Sequence, residues 1–284
     1  MAHSLTGQGA LITGGAGGFG GAIAAHLIAD GAAVTLMGRT RSALEETEQQ
    51  LRDQHPDAQI QVVVGDAANA TDVGQAVEVA NAQNLKIVVC TVGGGTMAPL
   101  MALSAEVLVQ DFERNVVTAL HAIRHSAPLL AANGGGSIIC TSSTAGGFSF
   151  PFMGSYSIAK SGLEALVRVA ADELGAHDVR VNAVRPGLVP TKAAKPGILV
   201  TDPEQRAAVL REKPLARVGT AADIAAAVRY LAGPESAWMT GAVLPVEGGN
   251  HLRRAADLEK LARSVCGDDV IDRALRAELV EAPR

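Results

Sequence analysis

Gly9-Ala10-Leu11-Ile12-Thr13-Gly14-Gly15-Ala16-Gly17-Gly18-Phe19-Gly20-Gly21 stands near the start of the 284-residue chain, and its reading decides the fold. Residues 9–13 are a short apolar run of strand length, and a glycine-dense loop follows. From about Gly18 the apolar residues Ile23, Ala24, Leu27 and Ile28 recur at helical spacing, and Gly31 stops the helix. Residues 33–37 read as a second strand. The loop therefore joins strand to helix inside a β-α-β unit. At such a junction the first backbone N–H groups of the helix can hold a pyrophosphate, and glycine lets the phosphate approach. Two registers fit, one through Gly15, Gly17 and Gly20 and one through Thr13, Gly14, Gly18 and Gly20.

Working outward, the second strand ends Met37-Gly38-Arg39-Thr40-Arg41. A carboxylate here would hold the ribose 2′-hydroxyl of NAD, whereas an arginine accommodates the 2′-phosphate of NADP. No acid is present, so Arg39 points to NADP, with NAD possible. Alternation then continues. A polar helix is predicted over 41–54, a strand over 59–64, a helix over 71–82, and a strand over 86–92 followed by Gly93-Gly94-Gly95. A long helical region over 104–132 contains Asn115. A strand at 137–141, a helix at 155–176, a strand at 179–184, a helix at 220–232 and a strand at 242–246 complete the series. At the end of the third strand, Asp66 is placed to bond an adenine. This rhythm predicts an α/β protein: a single Rossmann-like domain, a doubly wound parallel sheet of about seven strands flanked by helices, running to about residue 250.

Composition narrows the function. The formal net charge is −5 and no Lys/Arg cluster tracks a phosphate backbone, so nucleic acid is not expected as a partner. Cys90, Cys140 and Cys266 are widely spaced, with no metal-ligand pattern, and a reducing compartment is the default. Met1-Ala2-His3-Ser4 has no basic or hydrophobic signal segment, and no apolar run approaches the roughly 20 residues that span a bilayer. A soluble, cytoplasmic protein without a membrane partner is expected.

The chemistry lies between Ser142 and Lys160. Tyr156 and Lys160, four apart on a helix, share a face. A cationic amine beside a phenol should draw its pKa down from about 10, so that Tyr156 exchanges a proton nearer neutrality. A hydroxyl from Ser142 or Ser143, at the end of the fifth strand, could bond the same reacting oxygen. That is a proton-transfer site for an alcohol or a ketone. Phe148, Phe150 and Phe152, three of the chain's five phenylalanines, lie between these groups with Met153 beside them. They suggest an apolar substrate wall for a steroid, cyclic or acyl ketone or alcohol; the alternative is packing on core or on another subunit.

Taken together, the glycine loop at 13–20, Asp66, Asn115, Ser143, Tyr156, Lys160, Pro186-Gly187 with Thr191, and Gly248-Gly249 resemble the short-chain dehydrogenase/reductase family of the single-domain kind, over about residues 5–250. The resemblance selects Ser143 over Ser142, because Ser143 precedes Tyr156 by the family's separation. It implies that Tyr156 transfers the proton, that Lys160 lowers its pKa and binds the nicotinamide ribose, that Ser143 orients the substrate oxygen, and that Asn115 holds a water linking Lys160 to solvent. The dinucleotide would lie along Thr13, Gly14, Gly17, Gly18, Phe19 and Gly20. It would pass Arg39, Asp66, Ala67, Val92 and Gly93, and reach Pro186, Gly187, Val189 and Thr191, the last contacting the carboxamide. One departure is that Cys90-Thr91-Val92-Gly93 stands where the family usually carries Asn-Asn-Ala-Gly, so the adenosine half of the cofactor is expected to be held differently.

Residues 188–213 correspond to the family's substrate lid, where Ile198, Leu199 and Val200 could cover a substrate and Lys192 and Lys195 could meet an anion. Residues 251–284 lie beyond the usual family end. There Leu258, Leu261 and Val265, then Ile271, Leu275 and Leu279, repeat at helical spacing on either side of Gly267. Two amphipathic helices packing on the same domain or on a neighbour are expected, and the resemblance implies a homo-oligomer, a tetramer or a dimer. Two other functions stay open at this stage: a non-catalytic dinucleotide-binding sensor, and an epimerase or dehydratase with a permanently bound cofactor.

Overall fold

The computed structural model describes residues 4–191, 201–253 and 258–280. Seven parallel strands, β1 (Gly9–Thr13), β2 (Ala33–Gly38), β3 (Ile60–Val64), β4 (Leu85–Cys90), β5 (Gly136–Thr141), β6 (Val179–Pro186) and β7 (Val243–Val246), form one sheet in the order β3-β2-β1-β4-β5-β6-β7. Its central strands are apolar on both sides. Leu11, Val88, Ile138 and Val181 point into one core, while Ala10, Ile12, Ile87, Val89 and Ile139 point into the other. Such strands read as continuous hydrophobic runs because both faces are covered.

Helices α1 (Gly18–Ala29), α2 (Arg41–Gln54) and α8 (Ala221–Ala232) cover one face. Helices α3 (Ala70–Asn81), α5 (Thr118–Ala132) and α6 (Gly154–Leu174) cover the other. Strand order reverses between β1 and β4, and in an open parallel sheet ligands bind at the carboxyl ends of the strands beside that switch point.

Two boundaries differ from expectation. β4 ends at Cys90 rather than at residue 92, because Thr91 turns its hydroxyl to the carbonyls of Thr13, at 2.8 Å, and Gly14, at 3.2 Å. The helical region expected over 104–132 is α4 (Ala105–Phe112), one π-helical turn at Glu113–Val117, and α5. π-Turns inside α-helices frequently mark functional sites, and this one carries Asn115.

Beyond the sheet, α7 (Pro203–Arg211), α9 (Glu259–Cys266) and α10 (Asp268–Leu275) gather on one side. Asp202 caps α7 by accepting from the Gln205 amide at 2.9 Å. Leu258 and Leu261 pack with Val209 of α7 and with Phe150, Phe152 and Met153. Ala262, Cys266 and Ile271 pack with Met97 and Phe152. The Val280 amide donates to the Met101 carbonyl at 3.3 Å, and Lys260 pairs with Glu204 at 3.1 Å.

The docked stripe is not quite the expected one. It follows the i, i+4 row Leu258, Ala262, Cys266, which leaves Val265 on the flank, 54% exposed. α10 stops at Leu275, so Leu275 and Leu279 sit at and beyond its end, 58% and 80% exposed. The lid residues Lys192, Lys195, Ile198, Leu199 and Val200 lie outside the described residues. Among the described residues no helix is long and apolar enough to cross a membrane, and no cluster of His, Cys, Asp and Glu could hold a metal.

Ile271 is fully buried in the small cluster that docks α10. Replacing it with Ala removes about 2–5 kcal/mol of packing from a site with few other apolar contacts. Hydrogen exchange is expected to rise across 259–275 and to stay unchanged in β1 and β4.

Candidate active site

A cavity of about 960 Å³ opens at the carboxyl ends of the central strands. Gly14, Gly17, Gly18 and Phe19 line it from the loop after β1; Arg39, Asp66 and Ala67 line it from the ends of β2 and β3; Val92, Gly93, Tyr156, Lys160, Val189 and Thr191 line the other end. Gly17 and Gly18 hold φ of 81° and 57°, and a Cβ on either would meet no atom within 4 Å, so both lie open beside the cavity. The remaining glycines serve packing. A Cβ on Gly20 would fall 2.8 Å from the Cα of Gly15, and one on Gly15 would fall 2.9 Å from the Cβ of Leu36. Both registers read from the sequence are therefore in use, for different purposes. Thr13 is buried, its hydroxyl 3.5 Å from the Val89 carbonyl, and does not line the cavity.

No side chain caps α1 and its first turn holds no acid, so the positive end of the helix faces the cavity. Arg39 is exposed at the rim with no ion-pair partner among the described residues, while Arg41 pairs with Glu45 at 3.6 Å. The Asp66 carboxylate accepts from the Ala68 amide at 2.9 Å, which fixes it at the cavity edge. A glycine cradle at a helix start, a cavity of this size and a cationic rim fit a nicotinamide dinucleotide. Thr91, and not Cys90, ties β4 to the glycine loop. Cys90 lies opposite Cys140 in the sheet, and its thiol is pushed up by the hydrogen bond with Cys140 and then by burial.

At the inner end, Ser142 and Ser143 part ways. The Ser142 hydroxyl donates to Glu164 at 2.7 Å, and Arg185 grips the same carboxylate at 2.9 and 2.6 Å. Ser142 borders the cavity but its hydroxyl is committed to Glu164, whereas the Ser143 hydroxyl accepts from the Ala145 amide at 3.2 Å and lies near enough to the Tyr156 phenol to oppose the rise in its pKa. Lys160 is buried, donates to the Thr141 carbonyl at 2.7 Å, and stands 5.7 Å from the Tyr156 ring centre. Asn115 is fully buried; its amide donates to the carbonyls of Gly94 and Asp111, both at 2.7 Å, and its oxygen accepts from the Gly94 amide at 3.3 Å.

The electrostatics correct one expectation. Burial pushes the Tyr156 phenol up, the Ser143 hydrogen bond opposes this, and Asp111 adds to it. The phenol is therefore not held below its ordinary value, even with Lys160 one turn along the helix, whose own amine burial pushes down to about 8.

Other sequence candidates fall elsewhere. Pro186 and Gly187 do not line the cavity; a Cβ on Gly187 would fall 2.8 Å from that of Glu247, so glycine is needed where β6 passes the end of β7. Phe150, Phe152 and Met153 are half-buried against α7 and α9 rather than forming an open wall, because the chain after residue 258 covers them. Phe148 is half-buried outside that cluster.

Gly93, expected along the dinucleotide, also lies where a Cβ would fall 2.7 Å from Asn115 and 2.8 Å from Lys160. Two contributors escaped the sequence reading. Gly95 packs on Tyr156, where a Cβ would fall 2.6 Å from the ring, and its place in the triple glycine was visible only as a loop. Asp111 lies one helical turn before Asn115, a spacing that carries no signal by itself.

Over residues 14–251 the chain matches the family described as enoyl-(acyl carrier protein) reductase. It is 39% identical over 246 residues to an uncharacterised oxidoreductase of Mycobacterium tuberculosis, covering 84% of this chain and 90% of that one. It is 30% identical over 246 residues to a 3alpha-hydroxysteroid dehydrogenase of Mediterraneibacter gnavus, covering 84% and 95%. A solved structure of a short-chain type dehydrogenase/reductase from Mycobacterium ulcerans superposes with a TM-score of 0.89 at 30% identity, covering 96% of this chain and 99% of that one.

Gly95→Ala is expected to push Tyr156 aside. Turnover should fall by about 100-fold, as misplacements of the order of an ångström do, while dinucleotide affinity, read by fluorescence titration, holds.

Proposed function

We propose that this chain, which belongs to the short-chain dehydrogenase/reductase family and is an oxidoreductase acting on CH–OH and C=O groups, interconverts a hydroxyl and a carbonyl on a small apolar substrate with NADP as its preferred dinucleotide. One observation carries the reading: Tyr156 and Lys160 line the inner end of the dinucleotide cavity, and the Ser143 hydroxyl lies close enough to the phenol to oppose the rise in its pKa. Two hydroxyls that converge in this way suit a single substrate oxygen, which favours carbonyl chemistry over reduction of a carbon–carbon double bond.

When bound, the dinucleotide supplies or accepts the hydride. The protein's share is the proton and the orientation. Tyr156 gives its phenolic proton to a carbonyl oxygen in reduction and takes it from a hydroxyl in oxidation. A phenol held above its ordinary pKa is fully protonated at neutral pH, which suits the reductive direction. Ser143 donates to the same oxygen and holds it in place. Lys160, charged below about 8, stabilises the negative charge left on Tyr156, and its reach along the cavity places it for the nicotinamide ribose. Asn115 holds the Gly94 peptide that borders this group. The glycine loop and the start of α1 hold the pyrophosphate, Asp66 the adenine end, and Arg39 the 2′-phosphate.

The loop that leads into Tyr156 is apolar: Phe150, Phe152 and Met153 pack under Leu258 and Leu261, with Phe148 in the same loop, and these surroundings support a steroid, a cyclic ketone or an acyl ketone over a sugar. A relative named for a hydroxysteroid supports the same class. A homo-oligomer, tetramer or dimer, is supported by exposed Ile158 and Val169 on α6 and Val109 on α4. The cytoplasm is the proposed compartment.

Oxidation of NADPH and NADH, followed by loss of the reduced nicotinamide absorbance against cyclohexanone, a 3-ketosteroid and an acyl ketone, tests the reading. Tyr156→Phe is expected to lower turnover by about 10²–10⁴-fold; turnover equal to wild type would overturn the role. Arg39→Ala is expected to weaken NADPH about tenfold or more, the value of one charged hydrogen bond, and to leave NADH unchanged.

A further inference from the structure

Asp111 is a carboxylate with only 1% of its surface exposed, on the last turn of α4 before the π-helical segment. Its partners come from two loops that flank the same side chain. Oδ2 accepts from the Thr96 amide at 2.8 Å and from the Ser155 hydroxyl at 2.6 Å, and Oδ1 takes the Thr96 hydroxyl at 3.4 Å. Thr96 follows Gly95, whose backbone presses on the Tyr156 ring; Ser155 immediately precedes Tyr156 on α6. The backbone carbonyl of Asp111 also accepts from Asn115, which in turn holds both polar groups of Gly94. One buried acid and the asparagine one turn later therefore fix residues 94–96 on one side of the tyrosine and the start of α6 on the other. Buried carboxylates are costly unless hydrogen-bonded, and among the described residues this one bonds those two flanks and pairs with the neighbouring Arg114 at 3.6 Å.

We infer that Asp111 is the positioning residue of the proton-transfer site, clamping the Gly95 loop and the α6 start around Tyr156. The inference rests on Tyr156 being the proton-transfer group. Asp111 acts through Thr96 and Ser155 and touches no reacting atom. It has a second effect. Among the described residues the charged groups beside Tyr156 are Lys160 from its own helix and Asp111 from α4; Arg114 pairs with Asp111, and Glu164, Cys90 and Cys140 act on Lys160. Among these Asp111 pushes the phenol up. Removing its charge while keeping its shape must therefore let the phenol ionise at lower pH.

The chain holds only two tyrosines, Tyr156 and Tyr230, and Tyr230 stands far along the chain on α8. In a Tyr230→Phe background the ultraviolet difference absorption of phenolate reports Tyr156 alone, with no substrate needed. Asp111→Asn in that background is expected to move the midpoint to lower pH. In the Tyr230-containing enzyme the same substitution is expected to lower kcat on the best ketone of the panel by about 10- to 100-fold with NADPH affinity kept. Ser155→Ala, which keeps the charge and removes one clamp, is expected to lower kcat without moving the midpoint down. A folded Asp111→Asn protein with the wild-type midpoint and wild-type kcat overturns the inference. If Asp111→Asn does not fold, wild-type kcat in Ser155→Ala overturns it. Failure of the underlying reading looks different: Tyr156→Phe would then turn over as wild type does.

Discussion

The site depends on a close approach: the backbone after β4 runs in contact with the helix that carries the reactive groups. Gly93 lies between Asn115 and Lys160, and Gly95 lies against the Tyr156 ring, each with no room for a side chain. Any Cβ there would drive α6 away from β4 or rotate the tyrosine. The rest of the inner site answers to this approach. Asn115 pins Gly94, Asp111 pins Thr96, and Thr91 ties the end of β4 back to the glycine loop. A π-turn supplies the extra backbone that brings Asp111 and Asn115 to bear on the same loop.

Burial then sets the charges. Lys160 is enclosed, so burial pushes its amine down to about 8, against the opposing influence of Cys140, Glu164 and Cys90. Tyr156 is held on the neutral side for the same reason. Glu164 and Arg185 form a paired, mostly buried couple whose remaining bond is to Ser142. Such a pair adds little net stability, because desolvation offsets its attraction. Its consequence is geometric: it engages the Ser142 hydroxyl, although Ser142 borders the cavity, and leaves Ser143 as the serine that acts on the phenol.

The chain after residue 258 changes the nature of the aromatic stretch. Phe150 and Phe152 are neither open pocket wall nor core of the main sheet. They are a ledge, and α9 and α10 close over it through Leu258, Leu261 and Ile271. Phe152 holds φ of 67°, a conformation rare for a bulky residue, and its ring joins both small clusters of the extension. This apolar ledge is therefore shared between a loop that precedes Tyr156 and a segment more than a hundred residues later.

The sheet was legible because its signals are local. Apolar runs of strand length, helical periodicity between them and glycine at each strand end need no tertiary context, and they place β1 to β7 within one or two residues. The Tyr156–Lys160 pair was legible for the same reason, since helix geometry fixes which residues share a face. What the sequence could not carry was the environment of those groups. That burial holds the phenol up despite Lys160, that Ser142 is engaged by Glu164, that Asp111 reaches a loop and a helix start, and that the extension lies on Phe152 all depend on residues distant in the chain. The sequence by itself determined which elements form and which residues meet on one helix; the tertiary structure decided which groups are desolvated and what they touch, because burial and contact across the sheet are properties of the assembled fold.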